Sequence, residues 1–128
     1  MIHNLLPYMM AFVIFAVGLY AIAVKKNLIK AIIGVIILED AANLFLILVG
    51  YRVPASGEPI PPIIISRAGG VRPAADLLHQ AVDPLPQALV LASIVIGLAV
   101  VALMVVLALR LHEKYGTFDL TEISKLKG

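Results

Sequence analysis

Three long apolar stretches, each bounded by polar or helix-breaking residues, organise this chain: 5–24, 28–49 and 88–109. About 20 such residues cross roughly 30 Å of hydrocarbon when helical, at about 1.5 Å per residue. The pattern predicts an all-α membrane protein with three transmembrane helices, over about 5–24, 28–49 and 85–110, in a single membrane domain. The first stretch begins "MIHNLLPYMM", with neither the leading positive charge nor the trailing small-residue site of a secretory leader, so it is expected to stay as a helix.

The polar segments between the spans differ in kind. "VKKNLIK" is a short turn between antiparallel helices, with Asn27 placed to cap the second one. The connection over 51–84 carries Pro54, Pro59, Pro61, Pro62, Pro73 and Pro84 with Gly57, Gly69 and Gly70, a density that forbids a regular helix through most of it. A short amphipathic helix from Pro73 to about Val82 is compatible with the pattern, and "PPIII" is apolar enough to pack on a neighbouring protein. At the entrance to the third span, "VDPLPQAL" puts Asp83 at the N-cap and Pro84 at the first helical position, where the missing N–H is harmless. Pro86 also falls within that first turn, where no carbonyl would have met its N–H. The tail over 111–128 is polar, with one helical turn expected at "DLTEISKL" and no long-range order required.

Composition supports the same class: 62% of the residues are hydrophobic and 14% charged, far from the balance of a soluble domain. Of the ten Lys and Arg residues, Lys25, Lys26, Lys30, Arg110, Lys114, Lys125 and Lys127 fall on one side of the spans. Arg52, Arg67 and Arg72 fall on the other, so the expected orientation is N-terminus outside and C-terminus cytoplasmic. The net charge of +2 reflects this border placement and does not point to nucleic acid. With no cysteine, the chain offers no disulfide and no thiolate ligand for a metal.

The second span departs from its neighbours, because Glu39 and Asp40 stand at its centre. An acid at that depth costs about 2.5 to 3.5 kcal/mol on insertion scales. The pair opposes roughly what the fourteen Leu, Ile, Val and Phe residues of the window contribute, at about −0.3 to −0.6 kcal/mol each. Such a helix needs protein around it. Asn43 lies four residues after Glu39 and three after Asp40, a spacing that would let the three form one hydrogen-bonded cluster. They are the candidate ion or proton path, Glu39 foremost by depth. The alternative is that the acids clamp a basic residue of an adjacent subunit and move nothing. Lys30, one turn inside the boundary, reads as a snorkelling anchor.

Other chemistry is sparse. His79, near Asp76 and Asp83, makes Asp83 and His79 a second candidate, for an outer proton relay, against the plainer reading of a solvated loop histidine. His3, His79 and His112 are scattered without metal-ligand spacing. Ser93 and Gly97 form a small-xxx-small step suited to close helix packing. No nucleophile and base pair, phosphate loop or nucleotide fingerprint occurs, and no cofactor or metal is expected.

The stretch "VDPLPQALVLASIVIGLA" resembles the signature of the C-type component of Mrp-type multisubunit sodium/proton antiporters. "KKNLIKAIIG", "DAANLFLI" and "LHEKYGTFDLTEISKLKG" resemble further parts of that family, the last also the K-type (NuoK-like) component of complex I, so that most of the chain is covered, residues 52 to about 80 being the least matched part. The resemblance implies a non-catalytic three-helix subunit in a prokaryotic cell membrane. It would sit between large antiporter-like subunits of a complex exchanging sodium for protons. The same module occurs in archaeal membrane-bound hydrogenase and related ferredoxin-driven complexes, the alternative setting. K-type relatives carry glutamates at positions matching Ile36 and Ser93, so that relay does not transfer to this sequence. Glu39, one turn beyond Ile36, is expected on a nearby part of the same face.

Overall fold

The computed structural model describes residues 2–51, 57–63, 66–67, 70–71 and 78–125. Helices α1 (Ile2–Val24), α2 (Leu28–Gly50) and α3 (Pro84–Tyr115) are each long and apolar enough to cross a membrane. A four-residue helix, α4 (Leu120–Ile123), follows in the tail. In the long connection, β1 (Ser66–Arg67) and β2 (Gly70–Val71) pair antiparallel, Ser66 opposite Val71 and Arg67 opposite Gly70.

Helix α2 is central: α1 and α3 each pack along it and scarcely touch one another. On the α1 side the backbones come close because small residues meet. A Cβ on Gly18 would lie 2.8 Å from the Leu38 amide nitrogen, and one on Gly34 would lie 2.9 Å from the Ala21 Cβ. Phe15 and Phe45 meet edge to face beside this contact, with ring centroids 6.3 Å apart. The Tyr8 hydroxyl donates to the Leu48 carbonyl at 2.8 Å, near the end of α2, where that carbonyl also accepts the Tyr51 amide at 3.2 Å. No large side chain is fully buried among the described residues. Leucines, isoleucines and valines stand exposed along all three helices, so the chain relies on lipid and neighbouring protein to cover them.

The starts of α2 and α3 and the end of α3 have local causes. Asn27 accepts the amides of Ile29 and Lys30 with its side-chain oxygen, starting α2. Asp83 accepts the Leu85 amide at 3.0 Å and starts α3, with prolines filling the first turn. Helix α3 runs five residues past Arg110 and ends only at Gly116, whose left-handed backbone (φ 72°) suits a residue without a side chain.

The connection is tied to the helix ends at two places. Ile60 pairs with the strand-like segment after residue 80, its amide donating to the Gln80 carbonyl and its carbonyl accepting from Val82, both at 3.1 Å. The Asp83 amide then donates to the Gly50 carbonyl at 3.1 Å, fastening the start of α3 to the end of α2. The expected amphipathic helix lies partly outside the described residues; the part described, 78–80, is helical, but Ala81 bridges to Ile60 instead. Of "PPIII", residues 64 and 65 also lie outside, while Ile63 is exposed.

The tail holds more order than the sequence pattern requires. The Leu28 amide donates to the Phe118 carbonyl at 2.9 Å and the Leu120 amide to the Lys26 carbonyl at 2.7 Å, so the tail adds a strand-like rung to the α1–α2 turn. Phe118 is brought there by stacking on His112, with ring centroids 4.3 Å apart. Asp119 caps α4, accepting the amide and the hydroxyl of Thr121. These bonds satisfy backbone groups at the start of α2 that nothing local could reach.

Candidate functional site

Glu39 is delivered to the middle of the bundle by helical phase. Val35, Leu38 and Ala42 surround it on α2, Phe15 approaches from α1, and Ser93, Ile96, Gly97 and Val100 approach from α3. Together they line an open groove of about 420 Å³ in which Ser93 is the other polar side chain. The Glu39 carboxylate rests on Gly97, filling the space where a Cβ at that position would sit. Gly97 is buried by this contact and Ser93 half-buried one turn away. The small-xxx-small step therefore seats an acid as well as letting a helix approach.

Asp40 and Asn43 are placed differently. Asp40 is exposed, about 100° around α2 from Glu39, and Asn43 is buried at 8% exposure. No hydrogen bond joins Glu39, Asp40 and Asn43 among the described residues, so the expected cluster is not formed. The physical reason is the absent side chain of Gly97: it opens room for the Glu39 carboxylate toward α3, away from the next turn of its own helix. Ile36 also departs from expectation. It lines a separate, wholly apolar crevice of about 240 Å³ with Ile29, Ile32 and Ile33 on α2 and with Val101 and Val105 on α3. Glu39 and the position matched to the relatives' glutamate thus open to different sides of the α2–α3 contact.

The second candidate pair is not assembled either. Asp83 spends its carboxylate on the Leu85 amide, and His79 is exposed with no hydrogen bond to Asp83 among the described residues. Lys30 is exposed near the start of α2, with its side chain free to rise to the boundary. Sequence reasoning did not pair Glu39 with Gly97, because spacing within one helix says nothing about which turn of another helix lies opposite. The tail clamp was also missed, although the glycine of "KYGTFD" marked where α3 would stop.

Comparison with known proteins extends this geometry. The profile of the NADH-ubiquinone/plastoquinone oxidoreductase chain 4L family matches residues 6–128. The chain belongs to that family. Among relatives of this chain 4L family member, the C-type component of the Na(+)/H(+) antiporter of Alkalihalophilus pseudofirmus is 34% identical over 115 residues, covering 87% of this chain and 86% of its own. The C1-type component of the Na(+)/H(+) antiporter of Staphylococcus aureus is 34% identical over 113 residues, covering 88% and 84%. A chain in the structure of the membrane-bound sulfane sulfur reductase, described as an archaeal respiratory membrane complex, is 40% identical. It superposes with a TM-score of 0.70, covering 95% of this family member and 97% of that chain. Three apolar helices and these relatives make the chain 4L family member a multi-pass protein of a prokaryotic cell membrane.

Proposed function

We propose that this chain is a small, non-catalytic integral subunit of a multisubunit cation/proton antiporter module, and that Glu39 is its proton-exchanging group. The observation that carries the reading is the seat of Glu39: a carboxyl at the centre of a membrane span, half-buried in an apolar groove on Gly97. Intramembrane acids are costly and are kept where they pair or move ions. The carboxyl lies against α3 at Gly97, and an ion exchanged there would enter through the groove. Ser93 offers a hydroxyl to whatever enters. Large antiporter-like subunits are the partners that would close the groove and continue the path, with the N-terminus outside and the Lys-rich turn and tail in the cytoplasm.

The setting favoured for the module is a respiratory membrane complex. What supports it is the match, at 40% identity and nearly end to end, to a chain of the sulfane sulfur reductase complex. The antiporter relatives match at 34% over somewhat less of either chain. Redox chemistry in such a complex would reside in other subunits.

The decisive experiment replaces Glu39 with Gln in the complex purified through a tag on this chain. Assembly at wild-type level with cation/proton exchange reduced at least about tenfold is the expected result. Normal exchange per assembled complex would make the acid a structural element only, and the composition of the purified complex distinguishes a stand-alone antiporter from a respiratory assembly.

A further inference from the structure

Asp40 stands exposed on α2 with no use in the site just described. Its position follows from the helix: Ile29, Ile33 and Ile36 precede it at steps of four, three and four residues, so the four share one face. Those isoleucines line the apolar crevice against α3, whereas Glu39 opens to the other groove. The two adjacent acids therefore address different surroundings. Around Asp40 the surface is apolar, with Ile33 49% exposed and Ile47, seven residues on, 38% exposed.

Among the described residues nothing in this chain supplies a cation there. Along α2 the nearest basic residue is Lys30, ten residues or about 15 Å of rise away, and Arg52 lies beyond the helix end. Helix α1 contains no Lys or Arg. On α3, Arg110 is thirteen residues, or about 20 Å, from the level of Gly97. A second copy of the chain fails for the same reason, since its basic residues also sit at the ends of the spans. A lipid headgroup does not reach this depth. A carboxylate facing hydrocarbon at mid-span is costly, and acids in spans face protein or a polar cavity.

We infer that Asp40 and the flanking isoleucines form a docking face for a transmembrane helix of a different subunit, one that carries a Lys or Arg at mid-membrane depth opposite Asp40. The apolar stripe sets the line along which that helix lies, and the single charge fixes its depth and register. This rests on the reading of the chain as one subunit of a complex. It adds which face is covered and by what chemistry, and it gives Asp40 a positioning role separate from proton exchange at Glu39.

The chain has no cysteine, so Ile33→Cys or Ile47→Cys provides a unique attachment point for a benzophenone on this face, with Asp40 intact. In native membranes, crosslinks to a helix of another subunit bearing a mid-span Lys or Arg are expected; crosslinks to lipid alone, or to a helix without a basic residue, overturn the inference. In parallel, Asp40→Leu in the tagged chain is expected to lower recovery of the partner subunit about tenfold, since the partner's cation is left uncompensated. Membrane levels of the chain itself should be unchanged. Recovery unaffected or improved by Asp40→Leu overturns the docking face, because a lipid-facing acid is better replaced by leucine. Failure of the wild-type chain to retrieve any other membrane subunit overturns instead the reading of it as a subunit.

Discussion

The carboxylate of Glu39 lies on Gly97, in the one place where a side chain at position 97 would begin. This contact joins the charged turn of α2 to the small-residue turn of α3, and it puts the groove's ionisable group between the two helices. A glutamate tip is flexible, so the contact is easy to displace.

Gly97→Ala should therefore leave the fold nearly as stable as wild type, within about 1 kcal/mol, because only the end of a flexible side chain must move. Exchange should nevertheless fall, since the carboxyl is pushed from its seat. Thermal unfolding of the purified complex and cation/proton exchange in vesicles, measured on the same preparations, separate the two effects. Loss of stability with unchanged exchange would reduce the contact to packing.

Gly50→Ala should behave in the opposite way. A Cβ there would lie 2.6 Å from Cγ and 2.9 Å from Cβ of Pro86, ring atoms that cannot swing aside. The Gly50 carbonyl also receives the Asp83 amide, so the clash strains the staple between α2 and α3. A destabilisation of about 1 to 3 kcal/mol is expected in thermal or denaturant unfolding, with partial recovery when Pro86 is replaced by Ala.

On the other side of α2, Gly18→Val should force α1 outward, because its first obstacle is the Leu38 backbone nitrogen at 2.8 Å. Backbone cannot rotate away as the Glu39 tip can. The expected cost exceeds that of Gly97→Ala, by about 1 kcal/mol or more. Loss of the Phe15–Phe45 edge contact, followed by the aromatic side-chain signals, reports the separation.

The tail clamp should weaken in acid. The Thr121 hydroxyl, then the Thr121 amide, holds the Asp119 carboxyl below its ordinary range against slight desolvation, with Lys26 and Lys125 adding attraction. A lowered folded-state value means that this support is fully present above the unfolded value of about 4 and is lost as pH falls through the folded value. Hydrogen-exchange protection of the Leu28 and Leu120 amides should decline in that range in wild type. In Asp119→Asn the protection should be lower at neutral pH and lack the same decline.

Local chemistry made much of this legible in the sequence. The three spans, the Asn27 cap, and the Asp83 cap with Pro84 behind it all depend on residues within one turn of each other, where spacing alone decides. The end of α3 at Gly116 was less legible: hydropathy falls at Arg110, but a helix need not end where a membrane does. The site was legible only in part. Depth marked Glu39 and Asp40 as the unusual residues, while their grouping with Asn43 followed from spacing on a single helix, which cannot take account of an opening on another.

By itself the sequence determined that this chain spans a membrane three times, where its acids sit in depth, and how its helices begin, since those properties reside in runs of side chains and in caps. Only the tertiary structure decided that Glu39 turns to Gly97 while Asp40 faces outward, that Pro86 is held against Gly50, and that the tail returns to the α1–α2 turn. These depend on the rotation and axial offset of one helix against another. Such offsets are set by where small residues allow backbones to approach, a property of paired surfaces that neither helix's sequence contains alone.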